Sequence, residues 1–153
     1  MVNSKNILSS VEEKCVERGI RLTPRRRQVL DVLVQEEAAL SAYEIAQRCN
    51  ADSDNPMPAM SVYRILDFLQ EQQFVHRLET ANKYISCSHL SCAHEHLQAQ
   101  FLICNSCRRV EEIDLSSSAV AAMASAASAA GFASISSQLE VNGLCDRCVH
   151  ANP

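Results

Sequence analysis

The sequence predicts an α+β fold in two parts: a helical first half that ends in a β-hairpin, and a second half of short strands around one helix. Three observations support this. Apolar residues recur at helical spacing up to about residue 75, two short strand-like runs follow, and cysteine and histidine then become frequent. Only 5% of the 153 residues are aromatic and tryptophan is absent, so two small hydrophobic cores would each be thin.

Capping residues and apolar periodicity predict four helices in the first half. The first begins after a serine pair and ends at Gly19. The second has Thr23 as its N-cap and Pro24 at its first position, and Ser41 begins the third. The expected ranges are 11–18, 24 onward, 41 onward and about 59–72.

The fourth helix has the features of a recognition helix. Its apolar spacing leaves Ser61, Tyr63 and Arg64 off the core face, near the helix start. In a helix-turn-helix, the later helix enters the major groove by its N-terminal residues. Predicted strands at 74–78 and 83–87 add a hairpin, which makes a winged helix. The pattern alone also allows a protein-interaction module of the same shape.

Strands at 100–103, 109–114 and 132–141 are predicted in the second half. The first two flank a Cys-x-x-Cys pair, and residues 116–118 cap an alanine-rich helix that ends at Gly131. Alanine offers little side chain to bury, so we expect this helix to lie close against another surface.

Charge and composition limit the possible partners. The net charge of −4 argues against a protein coated in positive charge for nucleic acid. Positive charge is local, because Arg21 and residues 25–27 form one cluster and Arg64 stands in another helix. Any polyanion contact is therefore a focused patch, although a solvated helix face would show the same pattern. We find no secretory signal or membrane-length apolar run, which predicts a cytoplasmic protein without a membrane partner.

Two Cys-x-x-Cys pairs supply four thiolates in two tight turns: Cys104, Cys107, Cys145 and Cys148. Four sulfurs so arranged are most simply a tetrahedral structural zinc site. Closing it fixes two remote segments and contributes folding free energy. Disulfides or redox dithiols are the alternative, disfavoured in a reducing compartment. Cys15 and Cys49 lie in helical surroundings and favour core positions.

A second, mixed set of metal-ligand candidates lies in the predicted hairpin and in the segment between it and the first Cys pair. Its members are His76, Cys87, His89, Cys92, His94 and His96. A carboxylate of Glu111 or Glu112 could complete the shell. A mixed site empties and refills more readily than an all-thiolate site, and filling it would set the angle between the two halves.

Together these motifs resemble the ferric uptake regulator superfamily of metal-responsive bacterial repressors, from about Val11 to Cys148. The run RLTPRRRQVL from Arg21 is similar to the family's opening helix, and SVYRIL from Ser61 is similar to its recognition helix. The two Cys pairs match its structural zinc site.

The resemblance implies three segments and a mode of action. A winged-helix DNA-binding domain would occupy residues 1–84, a hinge and metal-ligand segment residues 85–98, and an α/β dimerisation domain residues 99–153. The protein would be a homodimer that binds a palindromic double-stranded DNA operator when metal is bound. It would be neither an enzyme nor a binder of a small-molecule substrate.

Within the superfamily, the zinc-sensing branch is the most similar, which implies a repressor of zinc uptake and homeostasis genes with two zinc ions per chain. The implied regulatory ligands are His76, Cys87, His96 and Glu112, with His94 as the alternative to His96. The soft thiolate of Cys87 selects zinc over iron or manganese. A family member that senses another divalent metal, such as iron, is the alternative.

The resemblance also implies DNA contacts. The recognition helix would use Ser61, Tyr63 and Arg64, and the Arg64 guanidinium can bond guanine O6 and N7. Phosphate contacts, which fix register, would come from Arg25, Arg26, Arg27 and Tyr43. A zinc hydrolase is disfavoured, because the run at residues 94–96 is His-Glu-His and lacks the ligand spacings of those enzymes.

Overall fold

A computed structural model of the chain describes residues 3–90, 99–133 and 135–151. The fold divides into two compact units, one within residues 1–94 and the other within residues 95–153. The first contains α1 (Ser4–Glu17), α2 (Pro24–Val34), α3 (Ala42–Asn50), α4 (Ala59–Glu71), β1 (Val75–Leu78) and β2 (Lys83–Ser86). The second contains β3 (Gln100–Cys104), β4 (Val110–Ile113), α5 (Ser117–Ala129), β5 (Leu139–Gly143) and α6 (Asp146–Ala151). The predicted α+β class is confirmed.

The first helix begins earlier than predicted. α1 starts at Ser4, where the Asn3 side chain caps it, and its Leu8 side chain is buried. The hydroxyls of Ser9 and Ser10 cap nothing, because they donate to backbone carbonyls four residues earlier inside α1. The predicted start at residue 11 was therefore wrong.

The caps predicted for α2 and α3 are present. Thr23 Oγ1 accepts a hydrogen bond from the Arg26 N–H at 3.3 Å, and Pro24 occupies the first turn. Ser41 and Glu44 form a reciprocal capping box. Each cap satisfies backbone donors at a helix start and fixes where the chain enters the helix.

α2, α3 and α4 enclose the hydrophobic core of the first unit. Its fully buried side chains include Val29, Leu30, Leu33, Ile45, Val62, Leu66 and Leu69. On α4, Met60 and Arg64 are exposed, while Tyr63 and Ile65 are half-buried against the core. The polar face at the start of α4 therefore points outward, as its sequence spacing predicts.

β1 and β2 form the predicted antiparallel hairpin, with Val75 opposite Ser86. Leu40 and Tyr84 exchange backbone hydrogen bonds of 2.9 and 2.7 Å, which tie the hairpin to the chain just before α3. The hairpin is thus held on the helical bundle as the wing of a winged helix.

A three-stranded sheet in the order β4-β3-β5 forms the second unit, with β3 antiparallel to β4 and parallel to β5. The strand predicted at 132–141 is shorter and begins at Leu139. Gln100 explains this start, because its buried amide donates to the Ser137 carbonyl at 2.7 Å and accepts from the Leu139 N–H at 2.6 Å. The short helix α6 was not predicted.

α5 follows its predicted Ser116 cap and ends before Gly131, but none of its side chains is buried. The surface expected to cover this alanine-rich helix is therefore not supplied by the described part of the chain. Met123, Phe132 and Val141 are further exposed apolar side chains of the second unit. No helix in the described ranges is long and apolar enough to cross a membrane.

Replacing Leu66 by alanine is expected to lower the free energy of unfolding by about 2–5 kcal/mol, because it leaves a cavity beneath α4. Urea unfolding followed by circular dichroism measures the change. Asp67→Ala, one residue later on the exposed side, is the matched control and should change stability by less than about 0.5 kcal/mol. Equal effects of the two substitutions would contradict the core position of Leu66.

Candidate metal centre and nucleic-acid interface

Four cysteine sulfurs of the second unit converge at one end of its sheet. Cys104 ends β3, Cys107 lies in the following turn, Cys145 precedes α6, and Cys148 lies within α6. All four Sγ atoms lie within 4.8 Å of one another, and those of Cys107 and Cys145 are 3.6 Å apart. A tetrahedral ion with Zn–S bonds of about 2.3 Å requires sulfurs about 3.8 Å apart. The predicted pairs thus have the geometry of a four-thiolate site.

Backbone hydrogen bonds shape the two turns that carry these sulfurs. The Arg108 N–H donates to the Cys104 carbonyl at 3.0 Å, and Arg108 adopts a left-handed φ of 65° to close that turn. The Asn105 N–H donates to the Gly143 carbonyl at 2.9 Å and so joins the first turn to the chain before the second. In the described ranges no disulfide joins any cysteines, which leaves these thiols available for a metal.

At Cys104 and Cys145, local N–H groups favour the thiolate form that binds zinc. The Cys145 N–H, 3.4 Å from the Cys104 sulfur, and then the Cys107 N–H lower the pKa of the Cys104 thiol to about 6. The Cys148 N–H likewise lowers the pKa of Cys145. In the first unit, burial raises the pKa values of Cys15 and Cys49, as suits core thiols.

Arg109 is a feature of this centre that the sequence prediction missed. Its guanidinium donates to Glu111 at 2.9 Å and to Asp146 at 3.3 Å, so it joins β4 to the residue that follows Cys145. Its position two residues after Cys107 was the one feature of the sequence that could have indicated a role for Arg109 beside this centre. This contact engages Glu111, whereas Glu112 lies on the opposite face of β4 and is half-buried. Arg109 thus faces Glu111 and not Glu112, the glutamate of the predicted regulatory set.

His76 and Cys87, members of the predicted mixed set, lie together on the wing. His76 is half-buried on β1, and Cys87 is buried just after β2. A ring nitrogen of His76 lies within 4.8 Å of the Cys87 sulfur. The Cys87 N–H donates to the Phe74 carbonyl at 2.9 Å, which holds the chain at this point. His94 and His96 fall outside the described residues.

The residues predicted to contact bases lie at the start of α4. Arg64 is exposed, and Ser61 and Tyr63 are half-buried. The Tyr43 ring, from the first turn of α3, lies edge-on to Tyr63 with ring centroids 6.4 Å apart and planes at 88°. Two helix starts thus place two tyrosines and an arginine on one surface of the first unit.

The arginine cluster of α2 is partly engaged inside the first unit. Arg26 stacks on the Phe68 ring, 3.6 Å from its centroid, and donates to the Arg21 carbonyl at 2.7 Å. Arg27 pairs with Glu12 of α1. Both side chains therefore also hold α2 against its neighbours, while Arg25 is half-exposed at the start of the same helix.

A winged helix followed by a small α/β unit with a four-thiolate centre defines a class of metal-binding regulatory proteins, and comparisons place the chain within it. The sequence profile of the Ferric uptake regulator family matches residues 17–142, and the chain belongs to this family. It is 36% identical over 146 residues to the zinc uptake regulation protein of Escherichia coli (strain K12). That match covers 95% of this chain and 83% of the relative.

Solved structures agree with this assignment. A zinc uptake regulator complexed with zinc and DNA superposes with a TM-score of 0.82 at 31% identity, over 99% of this chain and 98% of that one. The holo form of XcZur superposes with a TM-score of 0.74 at 35% identity, over 94% of this chain and 96% of that one. The resemblance inferred from the sequence is confirmed.

Replacing Cys107 by serine is expected to remove about one zinc ion per chain and to unfold the second unit, because three thiolates and a hydroxyl bind zinc poorly. Metal analysis of the purified protein and circular dichroism measure both effects. Cys15→Ala removes a buried thiol outside the cluster and should leave the zinc content unchanged. Unchanged zinc in the Cys107 variant would contradict the four-thiolate site.

Proposed function

We propose that the protein is a zinc-responsive, DNA-binding transcriptional repressor that controls zinc uptake and homeostasis genes. The observation that carries the proposal is its likeness over nearly the whole chain to zinc uptake regulators, one of them complexed with zinc and DNA. The winged helix, its exposed arginine and its thiol and imidazole ligands agree with that role. The protein acts as a regulator in the cytoplasm and not as an enzyme.

Operator recognition is assigned to the outward face of α4 and its surroundings. Arg64 is exposed near the helix start, where its forked guanidinium can reach a guanine edge in the major groove. Ser61 and Tyr63 flank it. Contacts to the DNA phosphates, which position the protein on the duplex, are assigned to Arg25, Arg26, Arg27 and Tyr43. The Tyr43 side chain is 69% exposed.

Two zinc ions per chain are proposed, with different tasks. The structural ion is held by Cys104, Cys107, Cys145 and Cys148. The regulatory ion is assigned to His76, Cys87, Glu112 and His96, with His94 as the alternative to His96. Support comes from the proximity of His76 and Cys87 on the wing. A thiolate and imidazoles favour zinc over iron or manganese.

Homodimer formation is assigned to the second unit. α5 buries no side chain, and Phe132 and Val141 are 69% and 53% exposed. Exposed apolar side chains on a small unit favour association with a second copy. A dimer would present two copies of α4 to a palindromic operator, and half-site spacing follows from the two-fold axis.

Arg64→Ala is expected to weaken binding to an operator selected from random duplexes by about 1–3 kcal/mol while leaving non-specific binding nearly unchanged. Arg25→Ala should instead weaken both kinds of binding equally and reduce the salt slope by about 1. Fluorescence anisotropy titrations at several salt concentrations separate the two patterns. If Arg64→Ala left operator affinity intact, recognition by α4 would be excluded.

Cys87→Ser is expected to abolish the dependence of operator binding on free zinc, because a hydroxyl replaces the soft ligand. The variant should still fold, dimerise and retain the four-thiolate zinc. Buffered-zinc titrations of operator binding, with metal analysis and mass determination, measure these properties. Cys49→Ala, a buried thiol outside both ligand sets, should keep the wild-type response. Wild-type zinc dependence in the Cys87 variant would refute the assignment.

A further inference from the structure

α1 is joined to the stretch that follows Cys87 by a hydrogen bond, and this stretch ends in a side chain buried in the core to which α1 also contributes. The Lys14 ammonium donates to the Leu90 carbonyl at 2.7 Å in a partly buried setting. The Leu90 side chain is only 3% exposed and belongs to the same buried cluster as Val11 and Cys15 of α1. A helix far away in sequence therefore fixes the end of the turn at residues 88–90.

Cys87 is consequently held from both sides. On one side, its own N–H donates to the Phe74 carbonyl, which continues the wing pairing by one residue. On the other side, three residues later, lies the Lys14 contact to Leu90. Between these two points the chain leaves β2 and turns, with the Cys87 sulfur within 4.8 Å of a His76 ring nitrogen.

We propose that Lys14 is a positioning residue for the regulatory zinc site: it holds residues 87–90 in the arrangement that offers the Cys87 thiolate to the metal. The inference rests on the proposed function, since it concerns that same site. Lys14 itself is not a ligand. Because Lys14 already orders this turn, zinc binding does not have to supply the free energy of ordering it. Lys14 therefore lowers the zinc concentration at which the protein binds its operator.

The fraction of chains in which this turn is ordered determines how the loss of Lys14 changes the apparent zinc affinity. A ligand that binds only an ordered arrangement has an apparent dissociation constant equal to the intrinsic value divided by the populated fraction. A hydrogen bond from a charged donor is among the stronger ones in proteins, so removing it reduces the ordered fraction substantially. Saturating zinc restores the ordered arrangement. The loss of Lys14 therefore shifts the zinc midpoint and leaves the final operator affinity unchanged.

Lys14→Met, which retains the apolar stem, tests this in the full chain with its four-thiolate site loaded. The zinc concentration for half-maximal operator binding should rise about tenfold, and operator affinity at saturating zinc should stay within about twofold of wild type. The zinc dissociation constant of the regulatory site, measured without DNA, should rise by the same factor. Lys14→Arg keeps a cationic donor and should restore most of the response.

Lys5→Met is the matched control, because it removes the same charge from an exposed position on the same helix and should shift neither quantity. An unshifted zinc midpoint in Lys14→Met would overturn the proposal. So would weaker operator binding at saturating zinc with an unshifted midpoint, since Lys14 would then support only the DNA-binding unit.

If Lys14→Met fails to fold by circular dichroism, Lys14→Gln, with a neutral donor, should show a smaller shift in the same direction. No shift in that variant counts equally against the proposal.

Failure of the proposed function would look different. In that case wild-type protein would bind its operator with the same affinity at all free-zinc concentrations, whatever residue stands at position 14.

Discussion

The parallel pairing of β3 with β5 is the constraint on which the second unit depends. It places Cys104 opposite Gly143 at one end of the sheet, so that Cys145 follows two residues later. Two Cys pairs far apart in sequence therefore meet through strand register, and Arg109 ties the same two segments together. A metal held there adds folding free energy to a unit that has few large buried side chains.

The proposed regulatory site stands on a different part of the fold. His76 and Cys87 belong to the wing, and the wing is tied by Tyr84 to the chain that leads into α3. Zinc at this position would act on the elements that present α4 to DNA. An all-thiolate site suits a permanent ion, whereas sulfur, nitrogen and oxygen ligands suit one that exchanges. In this proposal, the difference in donor chemistry separates the structural site from the sensing site.

The positive patch of α2 serves packing as well as charge. Arg26 lies on Phe68 of α4, and Arg27 pairs with Glu12 of α1, so the two guanidiniums connect three helices. The net charge of −4 argues against a surface coated in positive charge for nucleic acid. The protein's affinity for an operator must therefore come from a few well-placed groups, and helix packing fixes where those groups stand.

The sequence by itself determined the caps of α2 and α3, the core face of α4, the wing and both Cys pairs, because these depend on residues close in the chain or on fixed spacing. Only the tertiary structure decided where β5 begins, which glutamate Arg109 engages and how Arg26 is held. Each of these depends on the packing of separate elements. Local periodicity carries no information about such contacts. For that reason, the start of α1 at Ser4 and the hydrogen bond from Lys14 to the Leu90 carbonyl are known only from the tertiary structure.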